Sequence, residues 1–192
     1  MNPDTDPKEG LSGSLEDVLA VKKTKLKELR DRGVDCFPPR FEKTHTCGQV
    51  LALGKPLEIG GSDPAPVRVA GRLVGLRDMG KSIFGHIQDG TDKCQVYFKK
   101  DALPEDQFGL VKKDLHAGDF IGAAGAVFKT RTGEPTVAAA EVTLLAKALR
   151  PMPEKFHGLK DVETRYRHRH LDLIASPEAR KIFKERSLIV ST

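Results

Sequence analysis

A small five-stranded β-barrel flanked by helices is the fold class this sequence predicts, on three observations. Residues 67–98 (VRVAGRLVGLRDMGKSIFGHIQDGTDKCQVYF) run through three segments in which apolar and polar residues alternate, separated by turn residues. A short stretch follows in which Phe108, Val111 and Leu115 recur at helical spacing. Two further strand-like runs, 118–129 and 136–145, then flank the hairpin sequence TRTGEP at 130–135, centred on Gly133.

Taken in order, residues 1–13 are rich in Pro, Gly, Ser and Asp with almost nothing apolar, which predicts a disordered tail. Ser14 and Asp17 have the spacing of a capping box, so a helix is expected from 14 to about Arg32, stopped by Gly33. Leu15, Val18, Leu19, Leu26 and Leu29 trace its apolar stripe, while Lys22, Lys23, Lys25, Lys27 and Arg30 crowd the remainder. That basic surface has two readings, a helix lying on nucleic-acid phosphates or a solvated helix face, and charge alone favours the second. Residues 34–66 read as an irregular lead-in with one short helix at about 47–53, giving an N-terminal segment over 14–66.

In the first strand Gly71 and Gly75 allow a strongly coiled strand to bend. Asp78, Met79 and Gly80 make a turn, and 81–88 form the second strand. Period two places Ile83 and Ile87 on one face, and Phe84, His86 and Gln88 on the other. After a polar loop at 89–92, Cys94, Val96 and Phe98 point to the apolar side, so Gln95 and Tyr97 share the face of Phe84. Strand–strand–strand–helix–strand–strand over 67–147 is the order of the five-stranded OB-fold, whose second and third strands make a binding face.

Such a face is suited to recognition. Unpaired bases are held by stacking on a ring and by hydrogen bonds to their edges, and Phe84 beside Gln95 offers one of each. Arg77, ending the first strand, can pair with phosphate or stack on a base, and Glu134 at the hairpin tip can accept from a base imino or amino group. Each residue also has a structural alternative: Phe84 capping the barrel, Gln95 an ordinary strand residue, Glu134 a solvated loop charge.

Composition is compatible with this. Lys and Arg exceed Asp and Glu by 32 to 27, a formal net charge of +5, which favours an anionic partner without identifying one. No apolar run approaches membrane-spanning length and the first residues are unlike a signal peptide, so a cytosolic protein with no membrane partner is expected. Cys36, Cys47 and Cys94 are odd in number and widely spaced, which predicts three reduced thiols. No P-loop, dinucleotide fingerprint or nucleophile elbow occurs. His168 and His170 lack the further ligands a zinc site requires, and no metal is expected. Arg165, Arg167 and Arg169 are expected to form structural ion pairs or to reach phosphate.

Residues 148–174 (ALRPMPEKFHGLKDVETRYRHRHLDLI) resemble the junction between anticodon-binding and catalytic domains in the lysine-specific class II aminoacyl-tRNA synthetases. The resemblance extends to FKTRTGE at 128–134, MGKSIF at 79–84 and KLKELRDRGVDCFPPRF at 25–41, in order and with the expected spacing. The aspartate and asparagine enzymes share the barrel but are not similar at this junction. In the family an aromatic of the MGKxxF stretch stacks on an anticodon base, a position that falls on Phe84. The glutamine that hydrogen-bonds the central uridine falls on Gln95, an arginine before the MGK turn on Arg77, and the hairpin glutamate that contacts a flanking base on Glu134. The resemblance implies tRNA-Lys as partner, with ATP and Mg²⁺ as cofactors and a homodimer in the complete enzyme.

His170 departs from the family's RYLDL pattern, which has tyrosine there. Residues 148–192 then read as a helical linker and the truncated start of a class II catalytic domain. Ser176, Pro177 and Glu178 open a helix in which Ile182, Phe183, Ile189 and Val190 begin an apolar stripe, similar to the family's dimer-interface helix. The proline ending that helix, the ATP-gripping arginine motif and the glycine-rich last motif do not occur. These 192 residues are therefore expected to be inactive alone, with no catalytic residue and no cofactor of their own. The remaining alternative is a free-standing OB-fold RNA-binding module without catalytic activity.

Overall fold

A computed structural model describes residues 15–150 and 161–192. The expected tail, the Ser14 half of the capping box and residues 151–160 of the junction lie outside them. The chain divides after Arg150 into two compact units.

The first unit contains α1 (Leu15–Asp31), α2 (Cys47–Gly54), β1 (Ser62–Asp78), β2 (Ser82–Gln88), β3 (Lys93–Lys99), α3 (Glu105–Lys113), β4 (Phe120–Lys129) and β5 (Pro135–Ala146). The element order is the expected one. β1 begins five residues before the predicted strand because Ser62 and Asp63 pair with Phe128 and Val127 of β4, after which the register slips up to Pro66. Pro64 has no N–H to donate, and the ladder breaks there before resuming with Pro66 opposite Ala126.

The strands close into a barrel in the order β1-β2-β3-β5-β4. All pairings are antiparallel except β3 with β5, which runs parallel from Gln95 opposite Thr136 to Phe98 opposite Ala139. Alternation then fills the interior: Val67, Val69, Leu73, Ile83, Ile87, Val96, Phe98, Ile121, Val127, Val137 and Leu144 are all buried in one core. Two glycines permit the tight curvature. A Cβ on Gly71 would lie 2.7 Å from the Gln88 carbonyl oxygen, and one on Gly125 only 1.9 Å from that of Ala138, beside a register shift in β4. The helical spacing in α3 buries Phe108 and Val111 against this core, with Leu115 just beyond the helix.

α1 uses two of its four lysines, Lys22 and Lys25, for attachment. It buries Val18 and Leu29 and ends in a Schellman turn, with Val34 N–H donating to the Leu29 carbonyl and Gly33 at φ +78°. Lys22 donates to the Ala148 carbonyl, and Lys25 reaches the Lys113 carbonyl and the His116 ring. Burial lowers the Lys22 pKa, helped by Lys147 and opposed by Asp119. Near them the buried Lys147 and Asp119 pair at 2.6 Å, and Asp119 also accepts from the backbone N–H groups of His116 and Ala148. This satisfied pair ties the end of β5 to the start of β4, and loss of either partner would strand a buried charge. Burial, Lys147 and Lys25 lower the pKa of His116, which keeps the ring neutral beside two ammonium groups.

α2 packs against β1, β3, β4 and β5 and is held at its start from two sides. Thr46 and Gln49 form a reciprocal capping box. The β2–β3 turn adds Asp89, whose carboxylate accepts from the Cys47, Thr91 and Asp92 amides and the Thr91 hydroxyl. Burial opposes ionisation of Asp89, but these donors outweigh it and bring its pKa down to about 2.

The second unit contains α4 (Val162–Arg167), α5 (Arg169–Ala175) and α6 (Pro177–Ser191). Its centre is Asp172, 1% exposed, which pairs with Arg165 and Arg169; Arg167 pairs with Glu163 on the surface. Burial opposes ionisation of Asp172 and the two guanidiniums overcome it, so its pKa lies below the ordinary value. The expected ion pairs of this arginine run are therefore present. Ser176 caps α6 with Pro177 in its first turn, and α6 exposes Ile182, Leu188, Ile189 and Val190. No helix among the described residues is long and apolar enough to cross a membrane.

Because the folded Asp89 carboxyl titrates at about 2 rather than 3.8, its stabilising contribution is complete above pH ~4 and disappears as the pH falls through about 2. Asp89→Asn is expected to flatten that part of the stability curve, measured by urea unfolding across the acid range.

Candidate nucleic-acid interface

Strand register assembles the candidate face in rows across the outside of the barrel. Arg77 of β1 lies opposite Phe84 of β2, which lies opposite Tyr97 of β3. In the adjoining row His86 lies opposite Gln95, Gln95 opposite Thr136 of β5, and Thr136 opposite Phe128 of β4. Residues directly opposite share a face, so Arg77, Phe84 and Gln95 occupy one surface, as the alternation predicts.

The first row is aromatic. The Phe84 and Tyr97 rings are 4.8 Å apart and tilted by 33°, and Tyr97 meets Phe128 edge to face at 5.9 Å. The Tyr97 hydroxyl is fixed at 2.9 Å from that of Ser82. Phe84 is thus supported by a second ring while remaining half-exposed, which is the condition for stacking a base on it.

The second row is a hydrogen-bonded chain. Thr136 donates its hydroxyl to Gln95 Oε1 at 2.8 Å, and Gln95 Nε2 donates to Glu134 Oε2 at 2.8 Å. His86 Nε2 lies 3.3 Å from Glu134 Oε1 and 3.4 Å from Gln95 Nε2. With Glu134 ionised, the consistent assignment places the proton on Nε2, donated to the carboxylate. Gln95 is only 8% exposed, so its amide plane is fixed, yet each end retains capacity for a second hydrogen bond. An oriented amide of this kind can read a complementary donor–acceptor pair on a base edge.

Glu134 reaches this row through its hairpin. Gly133 turns at φ +83°, and Thr130 brackets Glu134 by accepting from its N–H and by donating its own backbone N–H and hydroxyl to its carbonyl. Glu134 is therefore not a free loop charge: its carboxylate joins Gln95 and His86. The Arg77 side chain is exposed beside Phe84 and has no hydrogen-bond or ion-pair partner among the described residues. Lys99, opposite Ser82 on the same alternation as Gln95 and Tyr97, adds an exposed positive charge.

Four positions read from the sequence thus share one surface, with Gln95 and Glu134 in direct contact. Sequence reasoning placed His86 and Tyr97 on this face without assigning them a part, and missed Thr136, Phe128 and Lys99. For Lys99 the period-two signal was present. For Thr136 and Phe128 it was not, because their positions depend on the β3–β5 closure.

A closed five-stranded barrel in the order β1-β2-β3-β5-β4, with a helix between β3 and β4, defines an OB-fold. Residues 67–145 match the family described as OB-fold nucleic acid binding domain. Over more than nine-tenths of its length the chain is similar to lysine–tRNA ligases. It is 45% identical over 181 residues to the lysine–tRNA ligase of Pelotomaculum thermopropionicum, covering 94% of this chain and 35% of the relative. It is 47% identical over 177 residues to that of Dehalococcoides mccartyi (92% and 35%), and 45% over 179 residues to that of Bacillus subtilis (92% and 36%). The chain spans about a third of the length of the curated relatives it matches. No group of three or more His, Cys, Asp or Glu placed to hold a metal ion occurs among the described residues, and the His168 and His170 rings simply meet edge to face.

Thr136→Val is expected to leave the buried Gln95 carbonyl unsatisfied and to cost about 1–3 kcal/mol of folding stability, measured by chemical denaturation.

Proposed function

We propose that this barrel selects the uridine-rich anticodon of a lysine tRNA for a lysine–tRNA ligase. The observation that carries this reading is the Gln95 amide, held by Thr136 and Glu134 in the row adjoining the half-exposed Phe84 ring. Uracil presents an imino N–H flanked by carbonyl oxygens, and an amide supplies the matching acceptor and donor. Phe84 stacks one base, Gln95 reads the central uridine edge, Glu134 contacts a flanking base, and Arg77 pairs with phosphate or stacks on a base. The relatives' names support lysine as the amino acid concerned.

In this reading the complete ligase is a cytoplasmic class II enzyme that activates lysine with ATP and Mg²⁺ and transfers it to the tRNA. The exposed apolar residues of α6 support its role as a homodimer-interface helix. Residues 67–147 supply recognition and the 192-residue chain alone supplies no catalysis.

Phe84→Ala is expected to weaken anticodon stem-loop binding by about 1–3 kcal/mol, the usual worth of a base–aromatic stack. Affinity unchanged within error would remove Phe84 from the site. The deciding experiment compares stem-loops carrying UUU and UCU at one fixed salt concentration, since phosphate contacts alone vary steeply with ionic strength. Preference for UUU by about tenfold or more, the value of one good base-edge contact, supports anticodon reading. Equal binding would reduce the function to charge-driven RNA association.

A further inference from the structure

Cys47 opens α2 and Cys94 lies in β3 with its side chain turned inward, away from Gln95 and Tyr97. Both are buried, at 0% and 1% exposure, and their sulfur atoms lie 3.2 Å apart, with the Cys94 thiol donating to Cys47. A disulfide needs about 2.05 Å, so closure requires the two sulfurs to approach by roughly 1.2 Å. Side-chain rotation and a small shift at the end of a helix can supply that movement. The third thiol, Cys36, donates instead to the Val34 carbonyl and has no neighbouring sulfur among the described residues.

The two thiols are also chemically distinct. The hydrogen bond from Cys94 leads the causes that lower the Cys47 pKa, against burial and the charge of Asp89. The same bond, with burial, pushes Cys94 up. The α2 N-terminus further favours an anion at Cys47. Thr46 and Gly48, the neighbours of Cys47 in the chain, are half-exposed.

We propose that Cys47 and Cys94 are a modification site, a buried dithiol that closes to an intramolecular disulfide when the protein meets a two-electron oxidant of the peroxide class. The Cys47 thiolate attacks a peroxide oxygen, breaking the O–O bond to give a sulfenic acid and hydroxide, which is protonated to water. The Cys94 sulfur then displaces the sulfenic hydroxyl, forming the S–S bond, and the released hydroxide takes the Cys94 proton as a second water. Two thiols and one hydrogen peroxide become one disulfide and two waters. The bond tethers the first turn of α2 to the strand whose outer face carries Gln95 and Tyr97. Thiol reductants reverse it.

The test treats the folded 192-residue chain with hydrogen peroxide in native buffer, quenches, denatures, alkylates, and measures intact mass and peptide linkage. The expected product has lost the mass of two hydrogens, alkylates only at Cys36, yields one peptide pair joining Cys47 to Cys94, and returns to three thiols with dithiothreitol. In Cys94→Ser the Cys47 sulfenic acid has no resolving thiol, so dimedone labels Cys47 there and not in the wild type. If that variant does not fold, the wild-type peptide map alone decides. Three intact thiols in the folded protein with oxidation only in urea, or linkage through Cys36, overturns the proposal.

Discussion

The parallel pairing of β3 with β5 is the contact on which the rest of the first unit depends. Without it the five strands are an open sheet with two unpaired edges and a half-covered apolar face. With it the barrel closes, Phe98, Val96 and Val137 share one buried interior, and the two edges pair over Gln95–Phe98 and Thr136–Ala139. The same pairing sets Thr136 opposite Gln95 and brings Glu134, one residue ahead of β5, onto the Gln95 amide. Closure of the core and assembly of the candidate face are thus one event. This is why a buried amide can be held with its donor and acceptor directions defined on an otherwise solvent-facing surface.

Charge is partitioned in a way that composition conceals. The net charge of +5 suggests a diffuse attraction for anions, but several of the cations are committed to the fold. Lys22 and Lys25 tie α1 to backbone carbonyls, Lys147 neutralises a buried aspartate, Lys129 donates to the Lys55 and Leu57 carbonyls, and Arg165 and Arg169 enclose Asp172. Cations near the aromatic row, Arg77 and Lys99, remain exposed. The charge available to the proposed nucleic-acid partner is therefore more local than the total implies.

α2 shows how a turn can take on two structural duties. The polar Asp89–Asp92 sequence reads as a hairpin loop, and it is one, but the Asp89 carboxylate also caps α2. A loop signal identifies where the chain reverses and says nothing about which distant N–H groups its side chains will meet. The same holds for Lys147 and Asp119, an unremarkable pair in the sequence that becomes a buried ion pair once the ends of β4 and β5 meet.

What this sequence determines by itself is what local chemistry can encode. Period-two alternation assigns Ile83, Val96 and Phe98 to the interior and Phe84, Gln95 and Tyr97 to the outer face, helical spacing places Phe108 and Val111, and Gly33 ends α1. Those signals arise between residues a few positions apart, where backbone geometry alone sets the direction of a side chain. The tertiary structure alone decided the extension of β1 to Ser62, the anchoring of α1 by its lysines, and the Thr136–Gln95–Glu134–His86 chain. Each of these joins groups far apart in the chain, and their meeting depends on loop closure and strand register, which no local pattern records.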